Sequence, residues 1–238
     1  MDKKLTARMV EGELKKSAKK EKVKILSSFF KTGKGEYGEG DIFIGVNVPS
    51  QRKIASKYIG LGFDEIKKLL TSKVHEFRLT ALIILLFKYN KSKDEVGKKR
   101  IFDFYLRNKK YINNWDLVDI SSRDIVGGYL FNKDRSIILK LSKSKIIWDR
   151  RIAIISTYYF IKQGECDFTL SLVSDLLKDK EDLMHKACGW MLREIGKKDE
   201  KRLRFFLDKN VQKMPRTMLR YAIERLKEKD RQKYLNID

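Results

Sequence analysis

Apolar residues recur three and four positions apart in segment after segment of this chain, with charges on the intervening face, and that period argues for helix and against strand. The pattern is plain at 65–70, 75–89, 101–107, 148–161, 168–177, 183–195 and 218–226. Proline, which would interrupt it, occurs only as Pro49 and Pro215, both where a helix would begin. The connectors Gly60-Leu61-Gly62, Lys91-Ser92-Lys93-Asp94 and Gly164-Glu165 are short, as in antiparallel helix pairs. The expected class is all-α.

Helix pairs return at intervals of roughly forty residues, a rhythm that suits an α-α superhelix of the HEAT-like repeat type. With 238 residues, 42% of them hydrophobic, the chain is long enough to bury a sizeable core. We expect one repeat domain over 1–238, opened by an N-terminal helical region and a Gly-rich loop within 1–42. Such an array curves, and its concave side is the expected binding face.

The charge indicates what that face would hold. Lys and Arg number 54 against 32 Asp and Glu, a net charge of +22. Part of the excess fits the background of a lysine-rich proteome, but a polyanion is the partner it favours. Nucleic acid is preferred to a membrane, because neither a long apolar run nor a secretory leader pattern is present; a cytoplasmic, monomeric protein is expected. Cys166 and Cys188 lack metal-ligand spacing and read as reduced packing residues. His75 and His185 are isolated in sequence, so packing or surface roles are expected, with no metal and no organic cofactor. The Lys-rich stretch 15–24 reads as a solvated helix face in preference to a DNA-contacting arm. The glycines of 33–41 mark a connector; the GxxxxGK[ST] spacing of a phosphate loop is absent.

Four residues stand out beyond the repeat pattern. Trp115 and Asp119 are four apart, so an indole and a carboxylate share one helix face, behind Asn113 and Asn114 as candidate caps. Arg151 opens the apolar run Ile152-Ala153-Ile154-Ile155, a placement where arginine snorkels or pairs. Trp190 follows Gly189, whose small size permits close helix approach. Taken singly, each is also compatible with ordinary packing.

Taken in order they resemble the AlkD-like family of HEAT-repeat alkylpurine DNA glycosylases, from Phe43 almost to the C-terminus. The resemblance is carried by Phe43-Ile44-Gly45-Val46-Asn47-Val48-Pro49 with Arg52, by His75-Glu76-Phe77-Arg78 with Ala81-Leu82, and by Asn114-Trp115-Asp116-Leu117-Val118-Asp119. It continues in Trp148-Asp149-Arg150-Arg151-Ile152-Ala153-Ile154 and in Lys186-Ala187-Cys188-Gly189-Trp190-Met191-Leu192-Arg193-Glu194. The likeness implies a catalytic carboxylate at Asp119, lesion-facing indoles at Trp115 and Trp190, and a backbone-contacting arginine at Arg151. Asn47, Arg52, Arg150, Lys186 and Arg193, in or beside the same blocks, are the expected DNA-binding residues. An aromatic that often precedes the first tryptophan in the family is Asn114 here.

The implied reaction is hydrolysis of the N-glycosidic bond of cationic alkylated purines, 3-methyladenine and 7-methylguanine, in duplex DNA without base flipping. A non-catalytic HEAT-repeat binder of unusual DNA structures and a helical scaffold for acidic protein partners are the alternatives. A carboxylate facing phosphates would repel them, so a pure DNA binder has no use for Asp119, and the enzyme is the favoured reading.

Overall fold

The computed structural model describes residues 4–237; among them it contains helices and no strand, with one isolated parallel bridge between Ile42 and Val74. The all-α expectation therefore holds. The chain divides into two compact units, Met1–Ser121 and Ser122–Asp238.

The first unit contains α1 (Ala7–Lys16), α2 (Lys20–Phe29), α3 (Val48–Lys57), α4 (Phe63–Leu70), α5 (His75–Lys91), α6 (Glu95–Arg107) and α7 (Trp115–Ser122), in whose last turn the division falls. α5 is apolar on every side, with Phe77, Leu79, Leu82, Ile83, Ile84, Leu85 and Leu86 all buried, which is the pattern of a central helix. α1, α3, α4 and α6 pack around it. The stretch 15–24 is not one solvated helix. Lys19 is extended and donates its N–H to the Ile44 carbonyl at 3.2 Å, which ends α1 and starts α2 afresh. α2 buries none of its own residues, and Ile25 and Phe29 remain mostly exposed.

The second unit begins with a π-helical turn, Arg123–Gly127, and contains α8 (Gly128–Leu130), α9 (Ser136–Ser142), α10 (Ile147–Ser156), α11 (Tyr158–Lys162) and α12 (Asp167–Leu176). It is completed by α13 (Asp182–Lys198), α14 (Glu200–Asn210), α15 (Arg216–Ile223) and α16 (Glu228–Leu235). The periodic run 148–161 is split between α10 and α11 rather than forming one helix. At the junction the Ser156 and Thr157 hydroxyls donate back to the carbonyls of Ala153 and Ile154, at 2.8 and 2.7 Å, a bond that competes with the helix's own. α13 carries the core, burying Met184, Ala187, Cys188, Met191, Leu192 and Ile195 against α10, α12, α14 and α15. Gly189 is where α15 comes closest: a Cβ there would meet the Met218 carbonyl oxygen and the Tyr221 Cβ, each at 2.5 Å.

The two prolines stand at helix starts, Pro49 in the first turn of α3 and Pro215 just ahead of α15. Both cysteines are free and buried. Burial pushes the Cys188 thiol upward, so it stays protonated and inert, as a packing residue should.

Candidate functional site

In the first unit Trp115 opens α7. Asn114, fully buried, accepts the Trp115 backbone N–H on Oδ1 at 2.8 Å and donates from Nδ2 to Asp41 at 3.4 Å. The half-buried indole is stacked on Phe30, with centroids 5.1 Å apart and planes 16° apart, and meets the edge of Phe29 at 5.7 Å. Its N–H donates to the Tyr37 hydroxyl at 3.3 Å. With Asn114 in place of an aromatic, the wall beside Trp115 is thus supplied from the end of α2 and the Gly-rich segment. Phe30 continues the stack onto Phe43, 5.0 Å away at 19°, and an apolar cavity of about 430 Å³ opens between these rings, Leu26, Val46 and Pro49. Asp119 lies one turn beyond Trp115 and is also half-buried.

Behind this wall lies a charged network that spacing alone did not suggest. His75, expected to be isolated, is almost fully buried with both ring nitrogens engaged: Nδ1 lies 3.0 Å from Asp41 and Nε2 2.8 Å from Asp116. A neutral ring would turn one lone pair toward a carboxylate, so this geometry calls for the imidazolium. Burial pulls the His75 pKa down, but the Asp116 charge and the hydrogen bonds to Asp116 and Asp41 outweigh it and raise the value to about 9. Burial likewise opposes ionisation of Asp41, yet the bond from His75 and the Arg78 guanidinium hold its carboxyl below the usual range. Arg78 reaches both Asp41 oxygens at 2.8 Å. The neighbouring Glu76 is buried as an anion cradle in reverse, accepting the backbone N–H groups of Ile44, Gly45 and Val46 at 3.0, 2.8 and 3.2 Å. Gly45 has φ +86, and a Cβ there would lie 2.0 Å from the Lys19 carbonyl oxygen, so only glycine fits that turn.

In the second unit Arg151 is buried in α10, and its Nη1 donates to the Leu183 carbonyl at 2.5 Å. Trp190 is half-buried on α13; its indole N–H donates to Glu194 at 3.1 Å and its ring lies 5.9 Å from Tyr158. The expected DNA-binding residues differ in their commitments. Arg150 is spent internally, bonding Asp179 through Nε and Nη2 at 2.6 and 3.1 Å and the Ser144 and Lys145 carbonyls through Nη1. Lys186 pairs with Asp182 at 2.7 Å, and Arg193 with Glu224. In the first unit Arg52 is exposed on α3, while exposed Asn47 caps that helix by accepting the Ser50 N–H at 2.9 Å. His185 donates from Nε2 to the Asp179 carbonyl at 2.6 Å.

Among the described residues, no three His, Cys, Asp or Glu side chains are placed to share a metal ion, and no helix is long and apolar enough to cross a membrane.

Comparison with solved structures finds a predicted DNA alkylation repair enzyme from Enterococcus faecalis, with a TM-score of 0.71 at 16% identity over 89% of this chain and 98% of that one. At that identity the likeness speaks for the fold. No curated protein sequence matches. The family model for DNA alkylation repair enzymes, however, matches residues 10–226, which takes in Trp115, Asp119, Arg151 and Trp190. The chain therefore belongs to the DNA alkylation repair enzyme family.

Proposed function

We propose that this protein is a monofunctional DNA glycosylase that releases cationic alkylpurines from duplex DNA without metal or organic cofactor. The observation that carries the reading is Asp119 one helical turn from Trp115 on α7, both half-buried, in a member of this family. Alkylation at N3 or N7 leaves the base positively charged and a good leaving group. As the glycosidic bond breaks, its electron pair neutralises the base and C1′ acquires oxocarbenium character. The Asp119 carboxylate stabilises that developing charge and orients the water whose oxygen adds to C1′, the water's proton passing to Asp119 or to solvent. The products are the free neutral base and an abasic site.

Trp115 and Trp190 are assigned to the cationic nucleotide, toward which an indole face contributes about 0.5–2 kcal/mol. Arg151 is assigned to the phosphate backbone, which requires its guanidinium to exchange the Leu183 carbonyl for a phosphate oxygen, with exposed Arg52, and Lys186 and Arg193 once released from Asp182 and Glu224, adding sequence-independent attraction. The experiment is direct: incubate the protein with duplex DNA carrying 7-methylguanine, with and without EDTA, and separate free base from oligonucleotide. Release that survives chelation is expected. Intact glycosidic bonds despite tight binding would make the protein a DNA-structure binder, and loss of release on chelation with recovery on adding zinc or magnesium would exclude the cofactor-free mechanism.

A further inference from the structure

We propose that His75 is a positioning residue for Trp115: by bridging Asp41 and Asp116 it locks the Gly-rich segment to the start of α7 and fixes the angle at which the indole is presented. Three contacts converge on that indole. Asp116, held by His75 Nε2 at 2.8 Å, is its immediate neighbour in the first turn of α7. Asp41, held by His75 Nδ1 at 3.0 Å and by Arg78, ends the segment whose Tyr37 accepts the indole N–H. Phe30, stacked on Trp115, also lies 5.0 Å from the imidazole. One buried ring thus touches the backbone neighbour, the hydrogen-bonding loop and the stacking partner of Trp115.

The charges facing His75 are Asp41 from the Gly-rich segment, Asp116 from α7 and Arg78 from its own helix, with Glu76 adjacent but occupied by three backbone N–H groups. Asp41 is held by His75 and, on both oxygens, by Arg78, so it keeps a charged partner when the imidazole is lost, whereas Asp116 is tied to this network through His75. Removing the imidazole therefore unties α7 more than the loop. Its raised pKa, near 9, keeps the bridge closed through neutral pH.

The inference rests on Trp115 facing the lesion, so the test separates the two claims. His75→Gln is made, with Asp116→Asn as a milder variant that keeps the shape of the carboxylate and removes its charge. The Trp115 indole N–H resonance, assigned through Trp115→Phe, reports ring placement, and single-turnover release of 7-methylguanine reports its use. In His75→Gln the indole signal is expected to shift and broaden, while the chemical step slows on the order of 10- to 100-fold and DNA affinity changes little. If His75→Gln does not fold, Asp116→Asn is expected to show the same indole shift with a smaller loss of rate. A folded variant with an unmoved indole signal would overturn the positioning role. Wild-type protein that releases no base would remove the glycosylase reading, and the indole signal alone would then decide the claim about His75.

Discussion

The indole N–H of Trp190 donates to the Glu194 carboxylate, 3.1 Å away and one turn further along α13, so the ring is pinned at its edge while its polar atom is satisfied. Only the ring faces then remain to act on a ligand. Trp190→Phe, which keeps a π face, is expected to weaken binding to a cationic-lesion duplex slightly. Trp190→Ala should weaken it by about 0.5–2 kcal/mol, up to roughly 30-fold. Titration of lesion-containing and undamaged duplexes with both variants checks this, and equal losses on the two duplexes would remove Trp190 from lesion recognition.

Asp119→Asn is expected to lower single-turnover excision on the order of 100- to 1000-fold, with DNA affinity unchanged or slightly better. The carboxylate acts on charge that appears only as the bond breaks, and its loss also removes a repulsion toward phosphates. Arg151→Ala behaves differently. It removes a buried guanidinium and its bond to the half-buried Leu183 carbonyl, so a stability loss of about 0.5–1.5 kcal/mol should accompany weaker binding and slower release. Wild-type excision by Asp119→Asn would end the catalytic assignment.

With 54 basic and 32 acidic residues, association with DNA should be dominated by phosphates and weaken steeply with salt. Arg52, exposed on α3, is the best single probe, because Lys186 and Arg193 already hold acidic partners. Arg52→Gln is expected to flatten the slope of log affinity against log salt by about one unit. An affinity indifferent to salt would point to a protein partner.

The pH dependence of stability follows from His75. Its folded pKa, about 9, lies above the ordinary 6.5, so the imidazolium bridge contributes fully below pH 6.5 and is lost as pH rises through 9. The full contribution is on the order of 3 kcal/mol. Urea midpoints should therefore fall between pH 7 and 9.5 in wild type, and less steeply in His75→Gln.

Gly189→Ala tests the close approach of α13 and α15 in the second unit. The added methyl would lie 2.5 Å from the Met218 carbonyl oxygen and the Tyr221 Cβ, neither of which is a flexible chain end. The expected cost is about 1–3 kcal/mol, read as a lower thermal midpoint. Because Trp190 is the next residue, base release should also slow; an unshifted midpoint would show that α15 can retreat.

What could be read ahead of the structure was decided by the range of the interactions. α5 was legible because its apolar positions state their own burial, and Gly189 because a small residue between large ones marks a helix contact. The break at Thr157 was hidden, since hydroxyl groups bonding back to the preceding turn look no different in sequence from any Ser-Thr pair. The candidate residues were visible through their ordered blocks, yet the surroundings of Trp115 were not. Tyr37 is 78 positions from it, and Asp41 is 73 from Asn114. Nothing periodic links residues so far apart. Likewise Arg150 and Arg151, adjacent and alike in sequence, part company in the fold: one staples Asp179 to two carbonyls, the other is buried beneath Leu183.

The glycine-rich stretch between Phe30 and Asp41 is a tether of fixed span. Glycine-rich surface connectors ordinarily tolerate insertions and deletions, because neither end has to arrive anywhere in particular. Here one end is stacked on Trp115 and the other is gripped by His75 and Arg78, with Tyr37 in between bonded to the same indole. Adding or removing a residue would pull Phe30 or Tyr37 off the tryptophan while leaving every helix intact. Such length variants should fold and yet present an altered aromatic wall.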